Sequence, residues 1–342
     1  MATTFFSLQA AHKRQHAAWW QDLVTVLLGT WLVLGVFVDG YAHNNLRSSI
    51  ESFFTPWHAI LYSGFTVTAL WVMFLIVQQV RLGKTGLEAV PHGYGLGMVG
   101  AFIFGLGGLG DLIWHTLFGI EVGVDALLSP THLMLLLGGV LLTTIPIRSA
   151  WSKPMSKPSL LEFLPVLLSM LLSLSFVTFM QMYLWVFTVG VLYSLSLETA
   201  GHLSRILFIN VILTSSVLFL IYRWRTPFGV FSLLFGLNTL LMLVLGAAFP
   251  IHAVLMGFGI GLGVDALVLL LRPSPQRLWQ YRAFAFLVPI IIWGGRFLTQ
   301  QLSVGIGISL ELWTGVTVMA ALSGLVLSVL SVPPRVPVFE DA

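Results

Sequence analysis

Residues 19–38 read WWQDLVTVLLGTWLVLGVFV, a run in which Asp22 is the only charged side chain. A helix needs about 20 mostly apolar residues to cross the hydrocarbon core of a bilayer. A cleaved signal peptide would have a shorter apolar core and a small-residue cleavage site, and the run has neither. The run therefore predicts a first transmembrane helix.

Runs of the same kind recur along all 342 residues, of which 57% are hydrophobic and only 8% are charged. A soluble domain carries about 25% charged residues, so this composition predicts a protein embedded in a lipid bilayer. The candidate spans are 19–38, 55–80, 95–116, 130–147, 160–183, 203–222, 228–249, 251–271, 283–298 and 309–331. We predict one all-α polytopic membrane domain over residues 1–342, with about ten helices and a cytoplasmic tail at 332–342.

The basic residues predict the orientation of these helices. Of the 16 Lys and Arg residues, all but Arg47, Arg205 and Arg296 fall in the connections on one side. Short cytoplasmic loops are enriched in Lys and Arg. We therefore expect a plasma (inner) membrane protein with both termini in the cytoplasm, and the same topology places most of the histidines and carboxylates at the outer face.

A pattern of Asp-x3-His, a loop, and then Thr/Ser-Pro-x-His occurs twice in the first half of the chain. The first copy, in the hairpin of residues 18–80, and the second, in the hairpin of residues 95–147, contain the candidate ligands Asp39, His43 and His58, and Asp111, His115 and His132. The pattern predicts a tandem repeat of two outward-facing helical hairpins, followed by the remaining helices over 160–331.

The spacing predicts that the side chains of each triad lie close together. Residues i and i+4 lie on one face of a helix, so each Asp and the His after it point the same way. Thr or Ser followed by Pro is typical of a helix N-cap, which places the last His in the first helical turn. A helix N-terminus disfavours imidazolium and keeps the ring in its neutral, metal-binding form. Two His and one carboxylate suit copper, zinc or iron.

Four further residues, Glu121, Glu198, His202 and His252, are weaker candidates for metal binding. Glu198 and His202 repeat the i, i+4 spacing and His252 follows a Pro-x pattern, which indicates a third, degenerate copy. Glu121 could be a bridging ligand, a proton relay or a loop carboxylate. Asp265, inside a predicted span, could pair with an arginine or mark a proton path.

The Asp-x3-His pattern with a later His, at the outer end of membrane helices, resembles the metal site in the C subunit of particulate methane and ammonia monooxygenases. The resemblance rests on Asp39, His43 and His58, and on Asp111, His115 and His132, and covers a small part of the chain. It implies copper and the oxidation of a small apolar substrate.

The sequence thus predicts a copper-dependent oxidoreductase that acts at the outer face on a small or lipophilic substrate, with no catalytic residue assigned. The chain has no cysteine and no electron-carrier motif, so electrons would come from a quinol or a partner protein. A metal transporter, a haem protein with two axial His, and a non-catalytic subunit of a complex with other membrane subunits stay open. No nucleic-acid motif is evident.

Overall fold

A computed structural model describes residues 14–46, 53–119, 124–187, 199–246 and 250–333. Within these ranges the regular structure is helical, with a single isolated β-bridge between Ser274 and Arg277. The α-helices are α1 Trp19–Asn45, α2 Pro56–Arg81, α3 Gly95–Phe118, α4 Val124–Leu128, α5 Pro130–Thr143, α6 Ile145–Trp151, α7 Leu160–Met180, α8 Thr199–Arg223, α9 Val230–Val244, α10 Ile251–Leu271, α11 Leu278–Ser303 and α12 Leu310–Ser331. Two short 3₁₀ helices cover Gly86–Ala89 and Met182–Leu184.

Eight of these helices are long and apolar enough to cross a membrane, and a ninth span results if α5 and α6 are taken together. The all-α polytopic prediction is therefore supported, but the count of ten is not confirmed. The predicted span 228–249 is represented by α9, which has only 15 residues. The connection between the predicted spans 160–183 and 203–222 lies partly outside the described residues.

The predicted span 130–147 is broken. Its two helices, α5 and α6, meet at an angle of 41°. Pro146 occupies the start of α6, where it has no N–H to donate to the preceding turn. At this break the hydroxyls of Thr143 and Thr144 donate hydrogen bonds to the backbone carbonyls of Gly139 and Val140 in α5.

The described residues form two compact units. The first contains the described parts of Met1–Met155, Ser159–Tyr183 and Leu240–Phe249. In this unit α1 packs on α2 and α3 packs on α5, and α7 lies against both α1 and α5. The two helical hairpins and α7 therefore form one bundle.

Each hairpin is held together by a close backbone approach at a glycine. A Cβ on Gly64 of α2 would lie 2.6 Å from the backbone N of Leu32 in α1, and one on Gly138 of α5 would lie 2.6 Å from the backbone N of Phe104 in α3. Small residues allow transmembrane helices to approach so closely. Leu32 and Phe104 each stand seven residues before the aspartate of their hairpin.

Asp22, near the start of α1, is buried in a complete polar network. Its carboxylate accepts hydrogen bonds from Tyr94 at 3.0 Å, Ser149 at 2.9 Å and Lys153 at 2.6 Å. Asp22 thus ties α1 to α3 and to the end of α6. Because every oxygen has a donor and the charge has a partner, the network is structural.

Asp22→Asn is expected to lower the free energy of unfolding by about 2 to 3 kcal/mol, because it removes the charged partner of a largely buried ammonium. Lys153 is 21% exposed, so water offsets part of the loss. Thermal unfolding in mild detergent measures the change, with the exposed Asp125→Asn as a control that should leave the transition in place. Equal stability of Asp22→Asn and the wild type would contradict this assignment.

The second unit contains the described parts of Ser156–Pro158, Leu184–Thr239 and Pro250–Ala342. Here α11 packs on α10 and α12, and α8 packs on α12. Asp265 accepts hydrogen bonds from the backbone N–H groups of Phe231 and Ser232 at 3.1 and 2.9 Å, at the start of α9. It is therefore a helix-capping residue, and neither an arginine partner nor a proton path is needed to explain it.

Candidate metal centre

The two Thr/Ser-Pro-x-His segments form the helix starts that the sequence predicts. Thr55 is the N-cap of α2 and accepts a hydrogen bond from the backbone N–H of His58 at 3.2 Å. Ser129 is the N-cap of α5 and accepts one from the backbone N–H of His132 at 3.4 Å. Both histidines therefore sit in a first helical turn, at the same end of the bundle as the C-terminal turns of α1 and α3.

The first triad consists of Asp39 and His43 from α1 and His58 from α2. His43 Nε2 lies 3.7 Å from Asp39 Oδ2, and His58 Nε2 lies 3.4 Å from Asp39 Oδ1. These distances are too long for hydrogen bonds. They match the separation of about 3.4 Å between two ligand atoms on one tetrahedral ion with bonds near 2.1 Å.

One oxygen of this triad has no hydrogen-bond donor in the described residues. Asp39 Oδ1 is buried and accepts no hydrogen bond from any residue in the described part of the chain. A buried carboxylate oxygen without a donor is costly, and such groups call for a specific explanation. A cation held between Asp39 and His58 would supply one.

The second triad consists of Asp111 and His115 from α3 and His132 from α5, and it differs from the first in that His132 faces the aspartate with Nδ1, which also lies 2.7 Å from Ser129 Oγ. His115 Nε2 and His132 Nδ1 lie 3.4 and 3.5 Å from Asp111 Oδ1. In each triad the three ligand atoms lie within 4.8 Å of one another. Asp111 is more buried than Asp39, and Thr131 donates a hydrogen bond to its Oδ1 at 3.2 Å.

In each triad one histidine is oriented by one backbone carbonyl, and the sequence does not reveal either contact. The carbonyl of Phe53 lies 2.6 Å from His58 Nδ1, and that of Gly119 lies 3.2 Å from His115 Nδ1. A carbonyl only accepts, so each pair assigns a proton to Nδ1, and Nε2 is the ring atom that faces the aspartate. Metal-binding histidines usually have this second contact.

Both triads line one cavity of about 200 Å³ in the first unit. Its other walls are mainly apolar, with Phe104 from α3 and Phe176 and Phe179 from α7. The Phe53 ring stacks on His58 at 4.7 Å between centroids and lies 6.2 Å from His115, so one aromatic ring adjoins both triads. The six ligand-type residues therefore belong to a single site.

The weaker candidates do not join this site in the described residues. Glu121 and Glu198 lie outside the described ranges. His202, in α8, and His252, in the first turn of α10, belong to the second unit, and neither is part of a group of metal-ligand type there. His252 is also exposed.

Two other histidines lie at the opposite end of the first unit. The rings of His16 and His92 stack with centroids 4.7 Å apart, beside Arg14. Burial lowers the pKa of His92, and His16 and Arg14 lower it further. No carboxylate is grouped with them among the described residues, so they do not form a similar triad.

The carbonyl that orients His115 depends on a backbone conformation suited to glycine. Gly119 has φ +82° and ψ 179°, a region occupied essentially by glycine alone. Gly119→Ala is expected to weaken metal binding at the second triad about tenfold, because the carbonyl would shift. Titration with copper in detergent measures this change.

Gly305→Ala is the matched control for that variant. Gly305 has the same φ of +82° and the same open space around its Cβ position, but it belongs to the second unit. It should show similar backbone strain and normal metal binding. If both variants bind metal as the wild type does, the Gly119 carbonyl does not position His115.

Fold and site together define a polytopic α-helical membrane protein with two Asp-His-His triads on one cavity. Comparisons of the chain with family models, with curated proteins and with solved structures find no match.

Proposed function

We propose that the two triads bind copper and that the protein is a membrane-embedded oxidoreductase. The buried Oδ1 of Asp39, without a donor in the described residues and 3.4 Å from His58 Nε2, carries the metal-binding proposal. The distances from the Asp39 carboxylate to His43 and His58 support it, since they suit a shared ion better than a hydrogen bond.

The charges around the cavity favour a cation. Two aspartates line it, and the described residues that line it include no lysine or arginine. Carboxylates are costly close to the hydrocarbon core unless they are paired. A divalent ion bound by each triad would provide the missing positive charge.

The ligand set favours copper among the possible metals. Imidazole suits copper, zinc and iron, and for a given set of nitrogen and oxygen ligands copper(II) binds most tightly. Copper supplies one-electron and oxygen chemistry when bound. The resemblance to the C subunit of particulate methane and ammonia monooxygenases points the same way.

The cavity supports a small substrate. Its volume of about 200 Å³ is below the roughly 300–1,000 Å³ of pockets for drug-sized ligands, which also argues against haem. The aromatic side chains of α3 and α7 would bind an apolar molecule next to the ligands. We propose a small or lipophilic substrate that enters from the bilayer.

We also propose that the two hairpins are a tandem repeat. The close helix–helix contact occurs at the same position in both hairpins, which supports this proposal. Gly64 and Gly138, where the contacts occur, each lie six residues after the last histidine of their triad. A duplicated hairpin would bring two equivalent triads to one end of a bundle. The distribution of Lys and Arg supports placing that end at the outer face of the plasma membrane.

Electron paramagnetic resonance on copper-loaded protein tests the redox part of the proposal. The wild type should give a type 2 copper(II) signal that disappears when a short-chain quinol is added without oxygen and returns with oxygen. His58→Ala with His132→Ala should abolish the bound signal, and His252→Ala should retain it. A bound copper signal that neither quinol nor oxygen changes would contradict an oxidoreductase and favour a transport or structural role.

A further inference from the structure

Two thioethers share the cavity with the triads. Met180 and Met182 both line it, along with all six candidate ligands. The chain has no cysteine, so methionine is its one source of sulfur ligands. Thioethers are soft ligands that select copper(I) over zinc or copper(II).

The sulfur of Met182 contacts the last turn of α1, next to His43. Asn44 Nδ2 is 3.8 Å from Met182 Sδ, and Asn44 directly follows His43 in α1. The same Nδ2 lies 3.2 Å from the carbonyl of Leu245, which holds the amide in place. The Met182 thioether is thus oriented by a polar contact with Asn44, the residue next to the candidate ligand His43.

The end of α7 makes this wall of the cavity electronegative. α7 ends at Met180, and Met182 begins the 3₁₀ helix that follows. The last carbonyls of a helix carry the negative end of its dipole, which favours a bound cation. The wall therefore combines soft ligands with a potential that attracts positive charge.

We infer that the cavity is a copper(I) site, in which the thioethers of Met180 and Met182 bind the ion together with imidazoles of the first triad. The inference rests on the proposed metal binding and adds the oxidation state that the site prefers. Imidazole also suits zinc and iron, whereas the thioether sulfur atoms give the site a preference for copper(I).

Competition with the copper(I) chelator bicinchoninate tests the inference. Met180→Leu with Met182→Leu should weaken copper(I) binding about tenfold and change zinc(II) binding by less than about twofold. Met170→Leu is the control, because Met170 is buried in α7, the helix that ends with Met180, but does not line the cavity. Met to Leu conserves volume, so all variants should fold.

X-ray absorption at the copper edge gives an independent readout on the wild type, where sulfur scattering is expected. Unchanged copper(I) affinity in the double variant, or copper bound without sulfur scattering, would overturn the inference and leave the proposed triads intact. A wild type that binds no metal would overturn the proposed function itself.

Discussion

Asp39→Asn is expected to remove about half of the copper that the wild type binds, and Asp39→Asn with Asp111→Asn to remove nearly all of it. Each aspartate is the residue that both histidines of its triad face, at 3.4 to 3.7 Å. An amide carries no charge and binds a transition metal poorly, so each substitution should disable one triad. Elemental analysis of protein loaded with copper and then desalted measures the loss.

Asp22→Asn is the control for that experiment, because Asp22 is a buried aspartate of the same helix, α1, at its other end. We expect it to lose stability and keep its copper. If Asp39→Asn and Asp22→Asn retained the same copper content, the carboxylates of the triads would not be ligands.

Gly64→Ala and Gly138→Ala are each expected to lower the free energy of unfolding by about 3 kcal/mol. The added methyl group would meet backbone atoms of the facing helix at 2.6 Å, and backbone cannot move aside as a flexible side chain can. The two helices of the hairpin would separate and move the histidine away from its aspartate. Loss of stability and of metal affinity should therefore appear together.

Gly105→Ala controls for the substitution itself. Its Cβ would meet only the ring of Phe65, at 3.6 Å, which is an ordinary contact. Alanine also has the better helix propensity, so this variant should be at least as stable as the wild type. Thermal unfolding of the three variants in one detergent compares them, and equal stability of all three would contradict the close packing of the hairpins.

The sequence predicts the helical membrane fold because apolar runs of span length have few alternative structures. It predicts less well where a run is interrupted. The broken span of α5 and α6 has the hydropathy of a single helix, and only Pro146 indicates the bend. The predicted span 228–249 is apolar over a length that would cross a bilayer, yet α9 has only 15 residues. Hydropathy does not determine where a helix ends.

The grouping of Asp39, His43 and His58 follows from local rules, namely the i, i+4 spacing and an N-cap followed by proline. The contacts around the triads do not follow from such rules. The carbonyls of Phe53 and Gly119 have no side-chain signature, and the contact of Met182 with Asn44 depends on packing between α1 and the end of α7.

Elemental mass spectrometry of the wild-type protein, purified in mild detergent, shows directly whether the two triads bind metal. We expect stoichiometric copper in the wild type, its loss in a folded His43→Ala, His115→Ala double variant, and its retention in His252→Ala. A wild type without metal, even after loading with copper, zinc and iron, would mean that the triads are not a metal site.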